Sequence, residues 1–125
     1  MNPVPGVMLV VDDYDLLVGA MGSPMAPLAE VVAQAAAVGL HVICARRVAG
    51  SQRTSFEPFS QRLRELRPTA LVLSGSPDEG IVAGSVKPRQ MPPGRGWLVS
   101  PAGRAQLVQC CLPAVNGDLA PGASA

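Results

Sequence analysis

Aromatic side chains are scarce, at 3% of the 125 residues. So few rings leave little surface for base stacking. A net charge of +1 supplies no field that would gather a phosphate backbone. No nucleic-acid partner is expected. The three cysteines, Cys44, Cys110 and Cys111, contain no Cys-x-x-Cys spacing. That excludes zinc ribbons and thioredoxin-type redox motifs and leaves buried free thiols in a reducing compartment as the expectation. Cys110 and Cys111 are adjacent and are expected on opposite faces of a strand. No apolar run reaches the ~18 residues that a membrane span needs. The first apolar run has no basic region before it, so a signal peptide is not expected. His41, the single histidine, lies in an apolar run and reads as a core residue. Ser74 and Ser76 have no nucleophile-elbow context and no histidine placed to activate them.

What is present is an apolar fraction of 48%, enough for one core, broken by 13 Pro and 13 Gly. "VMLVV", Val7 to Val11, is a continuous run of the kind that forms a strand buried on both faces. "LHVICA", Leu40 to Ala45, and "TALVLSG", Thr69 to Gly75, read the same way. Between them the spacing predicts two helices. One runs from Pro24 to Val38, with Ser23 as its cap and Leu28, Val31, Val32, Ala35 and Val38 as its apolar stripe. Gly39 stops it. The other covers Ser55 to Leu66, with Phe59, Leu63 and Leu66 facing inward, after a polar loop from Gly50 to Thr54. Strand, helix, strand, helix, strand predicts an α/β fold with a mostly parallel sheet. "GRGWLV" and "RAQLVQCCL", joined through Pro101, Ala102 and Gly103, predict a C-terminal hairpin. The expected organisation is one domain over residues 1–113 and a flexible tail over 114–125.

The chemistry concentrates where the first strand stops at Asp12 and Asp13 in "VMLVVDDYDLL". Paired acids at a strand end open a phospho-receiver, and "VKP" at Val86 to Pro88 looks like that family's lysine strand. A receiver also needs an acceptor aspartate at the end of its third strand. The matching "HVICARR" offers Arg46 there, and no aspartate occurs between Asp15 and Asp78. At most a degenerate receiver is left. The second reading is a Walker B strand, whose rigid end presents one acid to magnesium and a second to the attacking water. The third is a strand entering a solvated turn.

The order "VDDYDLL", "GLHVICARR", "LSGSPDEG" and "PPGRGWLV", spread from Val7 to Pro113, resembles the last ATPase module of the EccC proteins. These are FtsK/SpoIIIE-type motors of actinobacterial type VII (ESX) secretion. The resemblance implies a RecA-like P-loop fold, with Asp12 as the magnesium acid and Asp13 as the catalytic, water-side acid. It places Arg46 and Arg47 at a sensor position, to sense phosphate or contact a neighbouring module, with Arg47 the cofactor-binding candidate and two solvated arginines the alternative. It places Gly94 and Gly96 in a turn near the nucleotide base, against an ordinary hairpin turn. It implies ATP and Mg2+ as cofactors. The implied partners are the rest of the EccC ATPase, the secretion membrane complex and the export signal of WXG-type substrates. The implied location is the cytoplasm, at the inner face of the membrane as part of that complex.

No Gly-x-x-x-x-Gly-Lys-Ser/Thr occurs in the chain. Backbone amides and the lysine of that loop supply most phosphate affinity. The sequence therefore reads as the half of a module that follows the phosphate loop, inactive alone, with an uncovered apolar sheet face that invites self-association. A non-catalytic module binding a helical secretion signal is the alternative.

Overall fold

A computed structural model describes residues 5–113. The tail expected over 114–125 lies outside the described residues. The chain divides into two compact units, Met1–Arg67 and Pro68–Ala125.

The first unit is α/β. β1 (Val7–Val11) and β2 (Leu40–Cys44) pair in parallel, with Leu9 beside Val42 and Val11 beside Cys44. Between them lie α1 (Tyr14–Leu17), a 3-10 turn at Ala26–Leu28, α2 (Ala29–Ala33) and α3 (Ala35–Val38). The predicted helix over Pro24–Val38 is thus shorter and interrupted. Ser23 is not the cap of a helix: its hydroxyl accepts the Met25 N–H at 3.0 Å in the turn before the 3-10 element, whose own N-cap is Met25. The break falls at Gln34, whose N–H bonds the Val31 carbonyl in the tighter i to i−3 pattern. Two helices follow β2: α4 (Ser51–Thr54), where a polar loop was expected, and α5 (Pro58–Glu65). The second predicted helix starts three residues late because Glu57 is its cap. The Glu57 side chain accepts the Phe59 N–H, and Pro58 takes the first position.

Strand alternation sets the core of this unit. Leu9, Val11, Val42 and Cys44 lie on one sheet face and pack with the buried Tyr14, Val32 and Phe59. On the other face Met8, Val10 and Ile43 are 57%, 64% and 56% exposed. The strands expected to be buried on both faces are therefore covered on one. His41 shares the open face and is exposed, which corrects its reading as a core residue. The open apolar face expected of this sheet is present. Leu66, expected on the inner side of α5, is half exposed, because it caps the helix where the chain turns at Arg67 with φ 48°.

The second unit is an antiparallel sheet of β3 (Ala70–Val72), β4 (Arg95–Val99) and β5 (Ala105–Gln109), with β4 central. The predicted hairpin is present, its turn closed by the Gly103 N–H on the Ser100 carbonyl at 2.8 Å. Within this unit β3 pairs only antiparallel, with Val72 opposite Trp97. Val72, Val86 and Val99 form its buried core, with Trp97 packed against them. Cys44 is half-buried, whereas Cys110 and Cys111 are exposed and lie beyond the end of β5. The buried thiols expected at those two positions, and their strand placement, are thus corrected.

Candidate functional site: an acidic turn clamped from behind

The end of β1 is a sharp turn. Asp13 adopts the left-handed conformation at φ 48°, ψ 47°, one that aspartate tolerates better than most residues. Asp12 Oδ1 accepts the Asp13 N–H at 2.9 Å, so one carboxylate oxygen of Asp12 holds the turn and the other remains available. Both side chains are exposed. The third acid, Asp15, is half-buried.

Three contacts fix this turn. The backbone of β2 continues past its last residue alongside it: Ala45 donates to the Val11 carbonyl at 2.8 Å, and Tyr14 donates to the Ala45 carbonyl at 3.0 Å. Asp15 Oδ1 accepts the Arg47 N–H at 3.0 Å, and its other oxygen stands 3.8 Å from Arg47 Nε. Tyr14, 1% exposed, donates its hydroxyl to Glu57 Oε2 at 2.6 Å and stacks obliquely on Phe59, ring centres 5.6 Å apart. The same Glu57 oxygen caps α5. Burial and the Glu57 carboxyl together push the Tyr14 phenol well above its ordinary range.

The sequence-assigned residues fall as follows. Asp12, Asp13 and Arg47 come together at one end of the β1–β2 pair. Arg47 is engaged by Asp15. Arg46 turns the other way, half-buried, and donates to Thr54 Oγ1 at 2.7 Å. Burial holds its guanidinium below the ordinary arginine value. Gly94 and Gly96 belong to the second unit, where each has a packing reason to be glycine. Gly94 has φ 77°, and a Cβ there would stand 2.8 Å from the Cys110 carbonyl oxygen. A Cβ on Gly96 would stand 2.5 Å from the Val72 carbonyl oxygen.

Tyr14, Asp15, Thr54 and Glu57 were missed in the sequence. The signal for Asp15 was present: a third acid two residues past the pair, in a chain whose second strand is followed by arginines. Tyr14 and Glu57 are 43 residues apart, and nothing local pairs them.

Chemically, the turn presents two carboxylates side by side on a rigid strand end. Magnesium is held by one or two carboxylates together with waters and substrate phosphates, and Asp12 and Asp13 fit that requirement. Among the described residues no group of three or more His, Cys, Asp or Glu forms a closed metal cage.

No protein-family model matches the chain. Curated relatives do. The chain is 49% identical over 105 residues to the ESX-4 secretion system protein EccC4 of Mycobacterium tuberculosis, covering 84% of this chain and 8% of that protein. It is 45% identical over 103 residues to the ESX secretion system protein EccC of Thermomonospora curvata, covering 82% of this chain and 8% of the relative. Among solved structures, T. curvata EccC (ATPases 2 and 3) in complex with a signal sequence peptide superposes with a TM-score of 0.80 at 41% identity. That match covers 88% of this chain and 20% of the other. The cytoplasmic domain of the T. curvata type VII secretion ATPase EccC matches equally well, over 13% of its length. The fold is thus the RecA-like α/β fold of an ATPase domain. In sequence and structure alike, the chain belongs with the EccC proteins of ESX secretion systems, and it spans 8% of the length of those curated relatives.

Proposed function

We propose that this chain supplies the magnesium-side part of an EccC-type ATPase domain that drives protein export. The observation that carries the reading is the acidic turn. Asp12 and Asp13 end a strand that Ala45, Arg47 and the Tyr14–Glu57 pair hold in place. Asp12 is the magnesium-side acid. Asp12, with Asp13 beside it, would hold a magnesium ion, which would supply charge neutralisation to bound phosphates. Asp13 orients or deprotonates the attacking water. Asp12 already spends one carboxylate oxygen on the Asp13 N–H, while the Asp13 carboxylate is exposed. Arg47 is the residue of the pair suited to phosphate sensing, because it is exposed beside the turn and tethered only by Asp15. Gly94 and Gly96 are assigned to the neighbourhood of the base on the resemblance alone.

The phosphate loop must come from elsewhere in an EccC-length protein. In such a protein carrying this segment, Asp13→Asn is expected to lower ATP hydrolysis by this domain about 10^2-fold or more. Unchanged turnover removes Asp13 from the mechanism.

A second reading is a binding module for a helical secretion signal, of the kind WXG-type substrates carry. Its support is the T. curvata EccC structure that holds a signal sequence peptide. Retention of a WXG-type C-terminal peptide by the folded chain tests it, and no retention counts against it. The remaining partners are the rest of the EccC ATPase and its membrane complex, which places the chain on the cytoplasmic face. No helix among the described residues is long and apolar enough to cross a membrane.

A further inference from the structure

The second unit carries a cleft that shares no residue with the acidic turn. It measures about 310 Å³ and is lined by Ser85, Val86, Lys87, Arg89, Trp97 and Ala105. It is a shallow depression, open to solvent. Its floor is β4 and β5: Trp97 stands on the central strand, and Ala105 begins the outer one. Its wall is the segment from Ser85 to Arg89. That segment is fixed by the buried Val86 and Pro88, and by the Gly75 N–H on the Arg89 carbonyl at 3.1 Å.

The polar groups of the cleft are of one sign. Lys87 and Arg89 are exposed, and neither side chain makes an ion pair or hydrogen bond among the described residues. No carboxylate lines the cleft. Beside the two cations stand an indole, partly buried against the valine core, and the Ser85 hydroxyl. A surface cation commonly finds a local acid. Here two exposed cations line the same depression as an indole, and Arg89 offers the planar fork that grips oxyanions in bidentate fashion.

We propose that this cleft binds an anion carried on a molecule with an aromatic ring, the ring against Trp97 and the phosphate or carboxylate between Lys87 and Arg89. Ser85 adds a hydroxyl donor. Two sources share this chemistry, an aryl carboxylate and a nucleoside monophosphate.

Trp97 is the single tryptophan of the chain, so its fluorescence reports on this cleft directly. The test titrates the 125-residue chain with phenylacetate and, separately, with adenosine monophosphate. Benzyl alcohol and inorganic phosphate serve as the ring-only and anion-only probes. The expected result is a saturable change in Trp97 emission with at least one two-part probe, at least about tenfold tighter than with either one-part probe. Tighter binding of phenylacetate assigns a carboxylate source, and tighter binding of adenosine monophosphate a nucleotide source. Lys87→Met with Arg89→Met should weaken the response about tenfold or more, while Lys87→Arg should preserve it. Both positions are exposed, so these variants should keep the wild-type circular dichroism. The proposal is overturned if neither two-part probe saturates, if a one-part probe binds as tightly, or if the double variant binds like wild type.

Discussion

Tyr14 ties the acidic turn to the rest of its unit. It is the only tyrosine of the chain, it is buried, and its hydroxyl meets Glu57 at 2.6 Å. Tyr14→Phe should cost about 2 kcal/mol, because it removes a buried hydrogen bond and leaves a carboxyl oxygen with one donor fewer. Denaturant unfolding of the two proteins measures it. The pH dependence has a definite sign. The folded phenol titrates above the unfolded one, so the folded state holds its proton where the unfolded chain releases it. This contribution is fully present below about pH 10 and is lost as pH rises above that value. The alkaline fall in stability should be shallower in Tyr14→Phe, and tyrosinate absorbance should appear only on unfolding. Asp13 makes a different point. At φ 48° it needs a residue that accepts the left-handed region. Asp13→Ala should therefore lose about 1 kcal/mol to backbone strain, while Asp13→Asn should stay near wild type. Only the asparagine variant separates the carboxylate's chemistry from the shape of its turn.

Among the elements, the strands were the most legible in the sequence, because short apolar runs between turn residues have few alternatives. Their burial was less so. "VMLVV" carries no alternation, so nothing in it says that Leu9 and Val11 face the core while Met8 and Val10 face out. Helix bounds depended on one contact: the Glu57 cap with Pro58 starts α5 three residues later than periodicity suggests. The acids of the candidate site were easy to single out because they stand together at a strand end. Their clamp was not, because Asp15 with Arg47 and Tyr14 with Glu57 span 32 and 43 residues. Gly96 shows an element-level constraint that resembles a functional one. A glycine beside a ligand and a glycine beside a neighbouring strand look alike in sequence. Here β3 comes so close that Gly96→Ala would force a Cβ to within 2.5 Å of the Val72 carbonyl. The sheet should lose about 2–3 kcal/mol, as overpacking typically costs, read as a lower unfolding midpoint.

At the scale of the whole molecule, the chain holds two compact units and spans 8% of the EccC proteins of M. tuberculosis ESX-4 and T. curvata. The apolar face of Met8, Val10 and Ile43 is the kind of surface that a larger assembly covers. The acidic turn is likewise one side of a site. In the proposed reading it has carboxylates for magnesium and water, and the sequence contains no loop of backbone amides and lysine to hold the phosphates. Calorimetric titration of ATP with magnesium into the 125-residue chain measures this directly. The account predicts no saturable binding in the micromolar range. Micromolar, saturable binding abolished by Asp12→Asn would contradict it, because the chain would then contain a complete nucleotide site.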